Sequence, residues 1–189
     1  MNRTMAVAML AVVVCAGTAS AQGNSARHAQ IVVGGQAMLP TRDIVENAAN
    51  SADHTTLVAA VQAAGLVETL KGDGPFTVFA PVNDAFENLP DGTVQTLLRP
   101  ENKAALTKVL TYHVVAGRVT AAELMRRIQH GHGSATLRTV SGGTLTAVMN
   151  GPGNVLIRDE MGGAASITTY DVLQSNGVIH VVNRVLLPR

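Results

Sequence analysis

Apolar residues recur at helical spacing in the first half of the chain and at strand spacing in the second. Three stretches carry the helical spacing: residues 53–65, which begin with a potential cap at Asp53, residues 100–111, which begin at Pro100, and residues 120–129, which begin with Thr120. Their predicted inward-facing residues are Leu57, Val58, Val61, Ala64, Leu106, Val109 and Leu110. Five β-rich runs follow, at residues 135–140, 144–149, 154–158, 166–170 and 178–187. Helices followed by a meander of strands predict an α+β fold.

The segment 74–86 is the most distinctive apolar stretch. It holds all three phenylalanines of a chain that has two tyrosines and no tryptophan: Phe76, Phe79 and Phe86. Residues 76–80 alternate as a short strand that Pro81 ends, and Asn83 or Asp84 is placed to cap a following turn of helix. This concentration of aromatic bulk predicts the centre of a core and a structural role.

This box resembles the first of the two sequence boxes of the fasciclin-like domain, a module of cell-adhesion and secreted proteins. Residues 112–117, which begin with Tyr112 and His113, are similar to that family's tyrosine–histidine motif, and residues 176–188 resemble its closing box. The resemblance covers the chain from about Thr41 to Pro188. It implies a wedge of small β-sheets with helices packed along one side.

Two positions depart from the family pattern. Val82 stands where the family usually has Thr or Ser, and Asn183 stands where it often has Asp. Each departure removes a polar group, so the hydrogen bonds that those side chains make in relatives need not form in this chain.

The first 21 residues predict a secretory signal peptide. Arg3 supplies its positive end, residues 6–17 its apolar stretch, and Ala19-Ser20-Ala21 its cleavage pattern. About 12 apolar residues are too few for a membrane span, which needs about 20. Val14 is too large for the position before a lipid-modified Cys15. We therefore expect a secreted protein, extracellular or periplasmic, without a transmembrane anchor.

Cleavage defines the domain organisation and changes the composition. The mature chain would begin at Gln22, with a flexible N-terminal segment over residues 22–40, in which Ile31-Val32-Val33 could add an edge strand, and the fasciclin-like domain over residues 41–189. It would lack the only cysteine and, without Arg3, would carry 13 basic and 13 acidic side chains. A balanced charge without a long basic run argues against nucleic acid or anionic membrane as the main partner. We expect one domain and a monomer.

His113 and His180 are the candidate chemical groups within the family boxes. Both are predicted within apolar strands, where they could form a catalytic base or a metal pair, or be buried imidazoles bonded to a backbone carbonyl or a carboxylate such as Asp84. No acidic residue lies beside either histidine in the sequence, which favours the structural interpretation. We therefore predict no catalytic residue, no metal and no cofactor.

Other polar groups have ordinary structural interpretations. His130-Gly131-His132 is predicted as an exposed loop that binds metal only adventitiously, Asp159-Glu160 as a solvated turn, and Ser141-Gly142-Gly143 as a hairpin turn. Tyr170 is the one aromatic residue not assigned to the core. The sequence also lacks a Gly-x-Ser-x-Gly elbow, a phosphate-binding loop and a His-Glu-x-x-His helix.

The family resemblance implies adhesion or matrix interaction through an extracellular or cell-surface protein of unknown identity. Asp171 and Leu173 resemble short acidic–aliphatic segments proposed as receptor contacts in animal relatives, although a strand end followed by core aliphatics has the same pattern. The alternative function is an extracellular carrier of small apolar ligands, held where the helices meet the sheet. A third candidate function is that of an enzyme acting on extracellular polymers. A deep apolar pocket would favour the carrier.

Overall fold

Helices and strands alternate along residues 31–189, the part of the chain that the computed structural model describes. The α-helices are α1 Ile44–Asn50, α2 Thr55–Ala64, α3 Val67–Lys71, α4 Asn83–Glu87, α5 Thr93–Leu97, α6 Lys103–Tyr112 and α7 Ala121–His130. The strands are β1 Val32–Val33, β2 Gln36–Ala37, β3 Phe76–Pro81, β4 Val114–Ala116, β5 Ser134–Arg138, β6 Thr144–Met149, β7 Val155–Arg158, β8 Ala164–Gln174 and β9 Gly177–Val182. The predicted signal peptide and residues 22–30 lie outside the described residues. The α+β prediction is confirmed.

Helices α2, α6 and α7 lie in the three stretches predicted from helical spacing, but the predicted cap at Asp53 is wrong: Asp53 lies in a 3₁₀ turn, Ala52–His54, and α2 begins at Thr55 without a side-chain cap. Helix α2 ends at Gly65, whose left-handed φ of 72° lets its N–H bond the carbonyls of Gln62 and Val61. Helix α7 begins at Thr120, whose side chain accepts a bond from the N–H of Glu123. These ends follow directly from local chemistry.

Helix α1 was not predicted, although its signal is present in the sequence. Asp43 and Glu46 form a complete capping box, in which each side chain bonds the other residue's backbone N–H. The helix has only seven residues, too few for a clear apolar period.

Seven strands form one sheet in the order β4-β3-β9-β8-β7-β6-β5. Strands β3 and β9 are parallel, with Phe76 opposite Gly177, and the other neighbouring pairs are antiparallel. The sheet curls until its two ends approach, where Val115 bridges Thr139. The predicted wedge is therefore a single curled sheet with helices packed against it.

Strands β3 and β9 separate two hydrophobic cores. Along β3 and β9, Val78, Ala80, Ile179 and Val181 face the core beneath helices α1, α2, α3 and α6. The intervening Phe79 faces a second core, inside the curl of the sheet and beneath helix α7. Because both faces are covered, these strands are apolar at nearly every position instead of alternating with polar residues.

Residues 31–38, predicted to belong to a flexible segment, form an ordered hairpin. Strands β1 and β2 pair with each other and remain separate from the seven-stranded sheet. Val33 and Met38 are buried in the first core, with 8% and 5% of their surfaces exposed. The folded unit therefore begins before residue 41.

Candidate functional site

His113 lies at the end of helix α6, so its prediction as a strand residue is wrong. Its ring is 3% exposed, and Nδ1 lies 2.8 Å from the carbonyl oxygen of Val109. Nε2 accepts a 2.9 Å bond from the N–H of Leu186. The proton therefore sits on Nδ1, which donates to Val109. Burial lowers the pKa of His113 to about 4, so the ring is neutral at pH 7.

His180 lies in β9 as predicted and is completely buried. Its Nε2 donates a 2.8 Å bond to the carbonyl of Val119, while Nδ1 accepts from the N–H of Asp171 at 3.3 Å. The ring stacks on Phe79 at a centroid distance of 5.6 Å and meets Tyr170 edge-on at 6.0 Å. Burial lowers the pKa of His180 and favours its neutral form.

Both family-box histidines use both ring nitrogens within the fold. A metal or a substrate would have to displace an internal hydrogen bond to reach either imidazole. Their partners are backbone groups, as one of the two structural interpretations predicts, and Asp84 bonds neither ring among residues 31–189. Within that range, no group of three or more His, Cys, Asp or Glu side chains could hold a metal ion.

The phenylalanine box contributes to both cores. Phe79 is completely buried in the second core, whereas Phe76 and Phe86 are half-buried against the first. Neither proposed cap acts on helix α4. The side-chain oxygen of Asn83 instead accepts a 3.0 Å bond from the N–H of Thr56 at the start of helix α2. Asp84 is exposed.

The two departures from the family pattern have different structural consequences. Val82 precedes helix α4 and provides no side-chain cap. Asn183 still accepts a hydrogen bond, 2.8 Å long, from the N–H of Ser166. Only the first departure therefore removes a polar contact at its position.

Tyr112 and the turn at Asp159-Glu160 together hold the C-terminal tail. The buried Tyr112 hydroxyl donates to the carbonyl of Thr144 at 2.7 Å and accepts from the N–H of Glu160 at 3.0 Å. Asp159 accepts a bond from the N–H of Leu187 at 3.1 Å, and Glu160 accepts one from the N–H of Arg189 at 3.3 Å. The predicted turn is present, but its carboxylates are structural acceptors instead of merely solvated groups.

Asp171 makes a structural contact that sequence reasoning missed. It lies within an irregular part of β8 at a left-handed φ of 54°. Its carboxylate accepts a 2.8 Å bond from the N–H of Ala121, the first residue of helix α7. Leu173, two residues on, is half-buried. The structure therefore accounts for Asp171 as an acceptor for a free helix N–H.

Tyr170, which the sequence analysis did not assign to the core, is half-buried and packs against the second core. Its hydroxyl accepts a 2.8 Å bond from the N–H of Val155, and its ring contacts His180. His130 and His132 are both exposed, as predicted, but His130 is the last residue of helix α7 and only His132 lies in the loop after it. Ser141 and Gly142 lie in the turn between β5 and β6, also as predicted.

An apolar cleft lies where the helices meet the sheet. Helices α1, α2, α3 and α6 form one wall, and β3 and β9 form the other. Its free volume is about 60 Å³. Four polar side chains border it: Gln62 and Thr69 are exposed, Thr111 donates to the carbonyl of Thr107 at 2.7 Å, and both ring nitrogens of His113 are bonded within the fold. Val140, 47% exposed, also borders it. The cleft interior is therefore suited to hydrocarbon.

No helix within the described range 31–189 has the length and apolar character needed to cross a membrane.

Comparison with known proteins gives one family. A model of the fasciclin domain matches residues 52–188. Protein sll1483 of Synechocystis sp. is 49% identical over 145 residues, which are 77% of this chain and 73% of that protein. Transforming growth factor-beta-induced protein ig-h3 of Sus scrofa is 36% identical over 137 residues, which are 70% of this chain and 17% of that protein.

A solved structure gives the same fold. The FAS1 domain pair from the insect cell adhesion molecule Fasciclin I matches with a TM-score of 0.68 and 18% identity. The match covers 77% of this chain and 51% of that chain. At this level of identity, the likeness concerns the fold alone.

Proposed function

This chain belongs to the fasciclin domain family, and from that premise we propose that it is a secreted, non-enzymatic protein that binds an extracellular or cell-surface protein. The observation that carries the proposal is the family match over residues 52–188. The family match links this chain to cell adhesion proteins such as Fasciclin I, whose FAS1 domains share its fold.

The chemistry of the family boxes supports a binding role over catalysis. Tyr112, His113 and His180 are buried, and each forms its hydrogen bonds with backbone groups of the same chain. Groups held in this way stabilise a scaffold and are poorly placed to meet a substrate. Contact with a partner would then fall to the exposed surface.

Asp171 and Leu173 remain the proposed partner contacts. The carboxylate of Asp171 already accepts from Ala121, so a partner would use its second oxygen. Asp171→Asn retains an oxygen for Ala121 while removing the charge, and Leu173→Ala shortens the neighbouring half-buried side chain. Asp73→Asn, at an exposed acidic residue in the loop after helix α3, is the matched control.

The test begins with purified protein immobilised and exposed to cell-surface extracts, followed by identification of what it retains. Direct binding of the retained protein is then measured for the parent and the three variants. Weaker binding by Asp171→Asn and Leu173→Ala with unchanged stability supports their role as contacts. Unchanged binding rejects these two contacts, and the absence of any saturable protein partner rejects the adhesion function.

A second candidate function, carriage of small apolar ligands, is favoured by the cleft between the helices and the sheet. Its free volume of about 60 Å³ exceeds the roughly 10–15 Å³ that one buried water requires but is less than half of the roughly 150 Å³ of a cavity that binds benzene, so a bound ligand would extend beyond it past Val140. Because its interior offers apolar contacts, ligand affinity would come from hydrophobic burial. Saturable binding of an uncharged apolar probe would support carriage, and failure of such probes to bind would reject it.

A further inference from the structure

His54 has a buried ring nitrogen without a hydrogen-bond partner among residues 31–189. Only 3% of the residue is exposed. Nδ1 lies 2.9 Å from the hydroxyl oxygen of Ser51, whereas Nε2 has no such contact. The backbone of Ala80 is close enough to oppose the lowering of the His54 pKa, but it makes no hydrogen bond of good geometry with Nε2. Buried polar atoms in proteins nearly always have a hydrogen-bond partner, so this nitrogen requires one.

A small cavity of about 10 Å³ adjoins His54. Its lining includes Ser51 and His54, with apolar side chains elsewhere. Three of its lining residues, Ala48, Ala80 and Ile179, also line the apolar cleft. Two of the three have only a methyl group as side chain. These three side chains therefore separate the small cavity beside His54 from the apolar cleft.

We propose that the cleft binds an elongated, uncharged apolar molecule that ends in a hydroxyl group, and that this hydroxyl passes between Ala48 and Ala80 into the small cavity, where it bonds Nε2 of His54. The apolar body of the molecule lies between the helices and the sheet, and its free end extends toward Val140 at the border of the cleft. This inference rests on the second proposed function, carriage, and names the ligand class that the same cleft would take.

We infer the hydroxyl group of the ligand from the hydrogen bonds around the His54 ring. If Ser51 donates to Nδ1, then Nε2 carries the proton and requires an acceptor. If Nδ1 donates to Ser51, then Nε2 requires a donor. A hydroxyl group satisfies either tautomer because it can both donate and accept.

The proposed ligand is uncharged because of the side chains that line the two cavities. Neither the cleft nor the small cavity is lined by a Lys or Arg side chain among the described residues, so a buried carboxylate would lack a counter-ion. Burial also lowers the pKa of His54, against smaller opposing effects of the Ala80 carbonyl and the Asp53 carboxylate. The imidazole is therefore neutral at pH 7 and would not compensate an anion.

Three probes of equal chain length test the proposal: 1-octanol, octane and octanoate. Dissociation constants are measured at pH 7 from the methyl NMR shifts of Ala48 and Ala80, which report on the layer between the two cavities. We expect 1-octanol to bind about tenfold more tightly than octane. Octanoate should bind more weakly than 1-octanol because its charge would be desolvated.

The matched variants are His54→Phe, which keeps a planar ring without nitrogen, and His130→Phe at an exposed histidine. The first should remove the preference for 1-octanol over octane, and the second should retain it. If His54→Phe fails to fold, the ¹⁵N shift of Nε2 in the parent protein shows whether the ligand hydroxyl bonds this nitrogen. We expect it to move with 1-octanol and to remain in place with octane.

The outcomes separate the two levels of the proposal. Equal affinity for 1-octanol and octane, or an unmoved Nε2 signal, overturns the role of His54 while carriage stands. Failure of all three probes to bind overturns carriage itself. Tightest binding by octanoate overturns the uncharged ligand class.

Discussion

The backbone N–H of Leu186 donates a 2.9 Å hydrogen bond to Nε2 of His113, a residue 73 positions earlier in the chain. The other ring nitrogen donates to Val109 in helix α6. One neutral imidazole therefore fastens the C-terminal segment to the end of a helix.

Replacement of His113 by Ala should lower the free energy of unfolding by about 1–3 kcal/mol, because it leaves the buried N–H of Leu186 without its acceptor. Urea denaturation of the parent and the variant measures the difference. His130→Ala, at an exposed position in the last turn of helix α7, is the control and should change stability little. Coincident midpoints for parent and His113→Ala would contradict the structural role, as would stoichiometric zinc lost only from that variant.

Stability should fall as the pH is lowered from 7 to 5. The pKa of His113 is about 4 in the fold and near 6.5 when unfolded, so the unfolded chain takes up the proton first. Burial also lowers the pKa values of His54 and His180, which adds effects of the same sign. Each histidine contributes a slope of up to about 1.4 kcal/mol per pH unit between its two pKa values.

Urea denaturation at several pH values measures this slope, and His113→Gln should make it shallower by up to about 1.4 kcal/mol per pH unit. His130→Gln should retain the parent slope. Equal slopes in the parent and in His113→Gln would show that His113 does not enter the fold as a neutral group.

Tyr112→Phe should destabilise the protein by about 1–3 kcal/mol. The change leaves both the carbonyl of Thr144 and the N–H of Glu160 without a partner. Tyr170→Phe is the matched control because it removes a hydroxyl that accepts one bond, from Val155. We expect the smaller loss for Tyr170→Phe in thermal and urea denaturation. The reverse order would contradict the greater importance of the Tyr112 hydroxyl.

Exported protein should begin at Gln22 and contain no cysteine, as the Ala19-Ser20-Ala21 pattern predicts. Intact-mass measurement of the secreted fraction checks both points. Blocking cleavage by Ala21→Leu should leave a longer species, since the cleavage site requires small residues. Protein held in the membrane with a lipid on Cys15 would contradict soluble secretion.

Partner binding should depend weakly on salt, because the mature chain would have 13 basic and 13 acidic side chains. We expect affinity for a protein partner to change less than about tenfold between roughly 50 and 200 mM salt, whereas a protein that neutralises 6–10 phosphates loses about 10³–10⁵. Binding assays across this range, with heparin and DNA as comparison ligands, measure the effect. Tight, steeply salt-dependent heparin or DNA binding would indicate a basic face around Arg126 and Arg127.

Local signals were sufficient for the helices with strong ends and for the strands between glycine turns. Gly65 ends helix α2 because a left-handed residue is favoured there, and Thr120 begins helix α7 because its side chain caps a free N–H. His113 was misassigned because its apolar neighbours resemble a strand, whereas the bond of its ring to Val109 fixes it at a helix end.

The roles that sequence reasoning missed depend on contacts between distant segments. Asp171 bonds Ala121 across 50 positions, and Asn83 bonds Thr56 across 27. Nothing in the local pattern distinguishes either side chain from an ordinary turn residue. The position of the apolar cleft was predicted in outline, but the unpartnered Nε2 of His54 depends on three-dimensional packing that no spacing rule specifies.

The parallel pairing of β3 with β9 also fixes when the fold can be completed during synthesis. A ribosome or an export channel releases β3 long before β9, yet β9 lies between β3 and β8 in the finished sheet. Until Val182 has emerged, one edge of β3 has no strand beside it. The first core then lacks Ile179 and Val181 of β9, and the second core lacks Val182. The nascent chain must therefore remain incompletely folded until β9 has been synthesised, a state that a translocation channel for unfolded chains can accept.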